Sequence, residues 1–492
     1  MKIPFIWFVV GISTYLGILL ALLFLSKDRA ALSDREHFFL GRSGKRGIHP
    51  LLLLVSYAAT VYSAFTAVGM PGFVHTHGLG AYCAIVFGQV LQAACIVFFG
   101  LPLWKKATTA TGTISPIEVV ARSYHSRVLG MIIVGATVFF VVPHVTTQLV
   151  GMGRLIEGAT GGEMKYAAGV GILLIVMLVY SELGGLKGIV WTDVVQFVLC
   201  VGGMAALAIL FLNQEWEGSI AKLFRDVRAS DNAPLLSTPG PKSFFTLPML
   251  ASYCLLFGLW PIGHPTFSVR YLAQSTKRGF LWLVIGMSIA PLFMFIPGVI
   301  LGLGGAMKAP ALEKGDQVVG VVLALVLETG GVVASVFAFL FVLGALSAAM
   351  STCDSQILAT GQIVSRDVVK GVRPDISARG EMRSARIVMF VVLAIAYMIG
   401  MADPPLIWKL TILSGVGTAI LVPTYLGIFL KKPNLHAAFT SMACGYVVMV
   451  VGETMLRPED VFGFHTGIPA IAASAVVYGV VSVLWKESRA AQ

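Results

Sequence analysis

Tyr57-Ala58-Ala59-Thr60-Val61-Tyr62-Ser63-Ala64-Phe65-Thr66-Ala67-Val68-Gly69-Met70-Pro71-Gly72 places hydroxyls at positions 60, 62, 63 and 66 ahead of a Gly-x-Pro-Gly break, inside a run otherwise apolar enough to lie in a bilayer. Lipid offers no hydrogen bonds, so non-helical backbone at membrane depth survives only where it lines a cavity or is buried in protein. A later stretch does the same: Gly258, Pro261, Gly263, His264 and Pro265 interrupt another apolar run. Five spans separate the two starting points. Broken helices at matching places in two five-span halves point to an inverted-repeat transporter with its site near the midplane. The competing reading is a pair of ordinary proline kinks with hydroxyls bonded back to their own helix; the matched spacing argues against it.

Composition makes the bilayer a requirement. The 492 residues are 57% hydrophobic and only 12% charged, against about 25% charged in ordinary globular proteins. Mean hydropathy is +0.86. Apolar dominance excludes disorder. The net charge of +11 sits in short loops between apolar runs, with no basic stripe, so no nucleic-acid partner is expected. Cys83, Cys95, Cys200, Cys254, Cys353 and Cys444 each lie inside an apolar run without a CxxC pair, which indicates neither a disulfide framework nor a zinc site. A membrane β-barrel would alternate over short segments.

A bilayer core needs about 20 apolar helical residues per crossing. Thirteen segments qualify: roughly 5–26, 48–73, 79–104, 127–156, 165–183, 188–213, 244–270, 279–305, 331–365, 384–402, 404–430, 434–453 and 466–486. The expected class is all-α and polytopic, with membrane lipid as its surroundings. The first segment is too long for a signal-peptide core and lacks a small-x-small cleavage site, so it is expected to stay in place. Residues 214–243 form a polar segment, and Val318 to Leu327 are apolar but too short to span.

Lys and Arg concentrate on the cytoplasmic side of membrane proteins. Placing the N-terminus outside puts 24 of them in cytoplasmic positions and 10 outside, with Lys409 inside a span. An N-out, C-in protein of the plasma membrane, a bacterial inner membrane, is expected. Arg270 is counted among the cytoplasmic cations.

Two motifs carry a resemblance. Gly184-Gly185-Leu186-Lys187-Gly188-Ile189-Val190-Trp191-Thr192-Asp193-Val194-Val195-Gln196 and Ala348-Ala349-Met350-Ser351-Thr352-Cys353-Asp354-Ser355-Gln356 follow the Gly-x-Pro-Gly span in an order that resembles the sodium:solute symporter family over about residues 35–450. The resemblance implies a LeuT-like five-plus-five inverted repeat with one leading and two trailing helices. Its expected divisions are 1–46 for the leading helix and loop, 47–213 for the first repeat, 214–243 for an outer loop, 244–430 for the second repeat and 431–492 for the trailing helices. It also implies Na+ as the coupling ion, held by the backbone carbonyls of Ala59, Tyr62 and Ala348 and the hydroxyls of Ser351 and Thr352. The chemistry is sound, because a hard cation takes oxygen ligands. Residues 348, 351 and 352 share one helical face by their spacing. The competing reading of Ser351 and Thr352 is a hydroxyl bonded to its own i−4 carbonyl.

Asp193 is a carboxylate in an apolar helix, costing about 2.5–3.5 kcal/mol to insert, so it should face a cavity or a partner. The resemblance places it beside the Ser351/Thr352 face, where it would either raise local sodium affinity or form part of a second sodium site. The proline transporters of the family carry an acid in the break where this chain has Val61, which argues against a proline-transporter-like ion site. Proton coupling through Asp193 or His264 stays as an alternative.

The same resemblance lines a solute pocket with the two broken helices and the fourth and eleventh spans. Its candidate walls are Ser63, Phe65 and Thr66, then His144, Thr147 and Gln148, then His264 and Thr266. Lys409, early in the eleventh span, either receives a substrate carboxylate or snorkels to the surface. Tyr62 to Gly72 and Val142 to Gly151 most resemble the monocarboxylate and pantothenate branches. A small organic anion or zwitterion is the expected solute, since helix N-termini attract anions. A transporter-fold sensor working with a partner protein is the alternative class; no appended signalling domain is expected, and an accessory membrane subunit is left open. No HExxH or GxSxG cluster occurs, so no enzymatic chemistry is expected.

Overall fold

The computed structural model describes residues 5–26, 35–41, 47–109, 113–183, 185–312, 314–329, 331–402 and 407–485. The cation-bearing stretches 27–34 and 42–46, the lead at 403–406 into the eleventh span and the tail from 486 lie outside the described residues. Among the described residues the chain is helical, with no strand.

In chain order the helices are α1 (Phe5–Ser26), α2 (Pro50–Val61), α3 (Phe65–His77), α4 (Leu79–Thr109), α5 (Pro116–Ser123), α6 (Arg127–Ala159), α7 (Tyr166–Leu183), α8 (Gly185–Trp216), α9 (Ile220–Arg228), α10 (Leu247–Gly263), α11 (Pro265–Ala273), α12 (Lys277–Lys308), α13 (Val318–Thr329), α14 (Gly331–Val372), α15 (Ala378–Met401), α16 (Lys409–Gly427), α17 (Leu435–Met455) and α18 (Ile468–Leu484). Eight described helices are long and apolar enough to cross a bilayer alone. Two further spans are bent pairs, α2 with α3 at 51° and α10 with α11 at 54°. Shorter apolar helices at Val10–Leu25, Tyr166–Met177 and Ile468–Leu484 stand where the sequence has its first, fifth and last apolar runs.

The burial pattern is that of a protein in lipid. Phe98, Phe139, Ile175 and Val198 are 63–74% exposed, while Asp193, Gln148 and His264 are buried. Helices α8 and α14 pack along their lengths, and both contact α2. They approach closely through two small residues. A Cβ at Gly203 would stand 2.4 Å from the Leu340 carbonyl, and one at Gly344 would stand 2.4 Å from that of Leu199. Gly344→Val is therefore expected to lower stability by about 1–3 kcal/mol through overpacking. Thermal unfolding in detergent checks this, with Gly171→Ala, where nothing lies within 4 Å, as the neutral comparison. Equal midpoints for the two variants would contradict the close approach.

One placement differs from the sequence reading. Arg270, counted as a cytoplasmic cation, is 1% exposed within α11. A cation with a buried partner need not reach the interface, which hydropathy windows cannot register. The apolar stretch after residue 317 forms α13, packed on α6, α12 and α14, and Arg154 ties the turn before it to α6 through Asp316 at 2.8 Å.

Candidate functional site

Each break is built by the residues around it. Helix α2 ends at Tyr62, which is extended at φ −86° and ψ 101°, so its last carbonyls lack helical partners. The orphaned N–H groups beyond it are met one by one. The Ser63 N–H donates to Thr66 Oγ1 at 3.2 Å, that of Ala64 to Gln148 Oε1 at 2.9 Å, and that of Phe65 to Ser63 Oγ at 3.1 Å. Helix α3 then opens with a π-helical turn, Phe65–Gly69, a local form frequent at functional sites. In the second break His264 is extended, at φ −94° and ψ 120°. Pro261 has no N–H for the Phe257 carbonyl one turn back; Gln92 of α4 donates to that carbonyl instead, at 2.8 Å. A Cβ at Gly263 would stand 2.1 Å from the Thr418 carbonyl of α16, so only glycine fits there.

The hydroxyl pair of α14 faces the frayed end of α2. Ser351 Oγ lies 2.8 Å from the Ala59 carbonyl oxygen and 3.1 Å from that of Ala348, and Thr352 Oγ1 donates to the Thr60 carbonyl at 3.0 Å. None of these bonds is to an i−4 carbonyl; Ser351 keeps an i−3 bond within its own helix, and each hydroxyl also reaches a carbonyl of α2. The carbonyl of Thr60 was missing from the expected set, although its position in the last turn of α2 marks it. The Tyr62 side chain turns away, its ring 6.2 Å from Phe197 and 5.8 Å from Phe295. Among the described residues no cluster of His, Cys, Asp and Glu is arranged for a metal. The oxygens here are neutral, which suits a monovalent hard cation.

Asp193, on α8, is joined to α14 through Arg270 and Ser355, one helical turn beyond Ser351, and not by a bond to the hydroxyl pair itself. Its Oδ2 accepts from Ser56 Oγ at 2.5 Å and from Arg270 Nη2 at 3.3 Å. Arg270 also donates to Ser56 Oγ at 3.1 Å, Ser355 Oγ at 2.5 Å and the Thr266 carbonyl at 3.2 Å. Thr60 Oγ1 joins Ser355 Oγ at 3.1 Å. The network thus links α2, α8, α11 and α14, and through Thr60 it touches the ion-site carbonyls. Asp193 Oδ1 and both carboxylate oxygens of Asp354 are buried without a hydrogen-bond partner. The sequence reading did not single out Ser56, took Ser355 only as part of a motif and counted Arg270 as a cytoplasmic cation at the end of its span, because hydroxyls on apolar helices are common and a terminal arginine ordinarily reaches the interface.

Several of the buried polar atoms without a hydrogen-bond partner lie at the second break. The His144 ring lies 4.7 Å from Trp260 and 6.3 Å from His264, and Trp260 lies 5.6 Å from His264. Trp260 Nε1, His144 Nδ1, both ring nitrogens of His264 and Thr266 Oγ1 have no hydrogen-bond partner, though buried. Buried polar groups are ordinarily satisfied, so these atoms are left able to bond a molecule placed among them. Trp260 was missed by sequence reading; the signal available was its position four residues before His264 in an interrupted helix.

Other expected wall residues serve the backbone. Ser63, Thr66 and Gln148 cap α3 as described, and Gln148 Nε2 donates to the His144 carbonyl at 3.1 Å. The Thr147 hydroxyl bonds the Pro143 carbonyl at 3.0 Å, and Phe65 packs 6.0 Å from Phe257. Lys409 is not in the cluster at all. It lines a separate cavity of about 290 Å³ with Phe244, Tyr253, Glu453 and His465, because it starts α16 whereas the cluster meets that helix farther along. Burial pushes the His465 imidazole below its ordinary range, with Glu453 4.0 Å away opposing it.

Comparison with known proteins identifies the family and the fold. The family description "Sodium:solute symporter family" matches residues 38–445. A sodium/pantothenate symporter of Haemophilus influenzae is 26% identical, covering 90% of this chain and 88% of its own. A sodium/proline symporter of Staphylococcus aureus is 26% identical, covering 97% and 92%. A Na+-coupled sialic acid symporter in a substrate-bound outward-open state shares the fold, with a TM-score of 0.72 at 17% identity over 97% of this chain and 98% of that one. Mhp1, a nucleobase-cation-symport-1 family transporter, follows at a TM-score of 0.56, with 14% identity over 91% and 96%.

Proposed function

The chain belongs to the sodium:solute symporter family, and we propose that the solute it moves with sodium is a small organic anion or zwitterion seated at the second break. It is an integral membrane protein and a transporter, not an enzyme. The observation that supports the ion assignment best is the meeting of the Ser351 and Thr352 hydroxyls with the carbonyls of α2. Sodium between them would be held by Ala59, Ala348, Ser351 and Thr352, with Thr60 and Tyr62 supplying further carbonyls. Asp193, neutralised by Arg270, positions α2 and α11 around that ion.

The solute would lie against His144, Trp260, His264 and Thr266. Their unpartnered groups include an indole N–H, a hydroxyl, both ring nitrogens of His264 and Nδ1 of His144, a set suited to a small polar solute. The N–H groups opening α3 are met by side chains, whereas the start of α11 has no side-chain cap. Helix N-termini attract anions, so a carboxylate would sit at α11. The pantothenate and proline relatives carry solutes of this class. Orientation N-out and C-in, and division into a leading helix, repeats at 47–213 and 244–430 and trailing helices from 431, follow from the charge asymmetry and the five-span spacing of the breaks.

A thermal-shift panel of small carboxylates in sodium or potassium tests the reading. A ligand at 100 times its Kd stabilises by about 2.7 kcal/mol. One solute is expected to shift unfolding in sodium only, and Trp260→Phe to abolish that shift while the response to sodium alone persists. Equal shifts in potassium would contradict the coupling.

A further inference from the structure

We propose that the cavity where α5, α6 and the end of α14 meet seats the phosphate group of an anionic membrane lipid. The cavity, about 550 Å³, is lined by Arg122, Arg127, Arg366 and Lys370 together with Glu118 and Asp367. Its carboxylates are already shared out. Glu118 serves both Arg122, at 2.6 Å, and Arg366, at 3.3 Å. Glu381, behind the wall, serves Arg366 at 3.6 Å and Lys370 at 4.0 Å. Asp367 accepts from Ser115 Oγ at 2.5 Å. Arg127 is exposed and pairs with none of the described residues. It opens α6, 33 residues long and capped by Ser126, so the positive end of that helix adds to its charge.

A second feature distinguishes a lipid from a free anion. From Arg127 an apolar stripe runs along the outer face of α6: Val128 is 55% exposed, Ile132 45% and Phe139 69%. Helix α15, packed beside α6, shows lipid-facing Ile387 and Phe390 at 57% and 56%. Charge complementarity at one end and an apolar track leading from it match a headgroup and its acyl chains. Basic pockets between membrane helices are a known chemistry for anionic headgroups.

The test compares the purified full-length protein in nanodiscs of phosphatidylglycerol and of phosphatidylcholine, with thermal unfolding and retained lipid as readouts. Phosphatidylglycerol is expected to raise the midpoint and to be retained after delipidation. Arg127→Gln and Lys370→Gln should each weaken retention about fivefold, from roughly 1 kcal/mol per cation near the surface. Both variants should keep the wild-type response to sodium, which separates loss of the lipid site from loss of fold. Inorganic phosphate in detergent should not reproduce the shift. Equal midpoints in the two lipids, retention unchanged in both variants, or a full response to inorganic phosphate would each overturn the assignment.

Discussion

Arg270→Met is expected to destabilise the protein by about 3–5 kcal/mol, the penalty for leaving a buried carboxylate without its cation. Asp193 is fully buried, and Arg270 is the only cation bonded to it among the described residues. The same substitution also takes the donors at 3.1 Å and 2.5 Å from Ser56 and Ser355, leaving Ser56 with Asp193 and Ser355 with Thr60. Denaturant or thermal unfolding in detergent measures the loss. The pair Asp193→Asn with Arg270→Met should recover a large part of it, since no charge is then left unmatched. A double variant as unstable as the two single losses added together would show that the residues act independently and that the ion pair is not formed.

Sodium activation should respond most to the hydroxyl pair. A hydrogen bond or ligand contact to a charged group contributes about 1.5–3 kcal/mol, so Ser351→Ala or Thr352→Ala should raise the half-activating sodium concentration by roughly tenfold or more. Both hydroxyls also bridge α14 to α2, so a small loss of stability accompanies the change. Thr352→Ser, which keeps the oxygen, should restore most of the sodium response. Uptake by reconstituted vesicles across a sodium series is the measurement. Sodium dependence that is unaltered in both alanine variants removes the ion-site assignment.

Much of this arrangement is readable without coordinates. The breaks announce themselves through Gly, Pro and hydroxyl residues in apolar runs, because lipid leaves no other use for them. Ala348, Ser351 and Thr352 share a face by helical spacing alone. The partner of Asp193 was not readable. Arg270 lies 77 residues away and closes a broken helix near a loop, where a window of local hydropathy assigns it to the interface. Gln92 and Gln148 were equally hidden as the residues that satisfy the two breaks, since an amide's role depends on which backbone group reaches it. Lys409 went the other way: its charge drew attention, yet its cavity is shared with Glu453 and His465.

Hydropathy, charge placement and punctuation by glycine and proline were enough to establish a helical membrane protein with paired interruptions, because each is a local property that water and lipid act on directly. Which orphaned donor meets which acceptor, and which buried charge is neutralised by which, was decided only when the helices packed. Those contacts join residues from different helices, and in a low-dielectric interior a shift of a few ångströms separates a satisfied group from a stranded one.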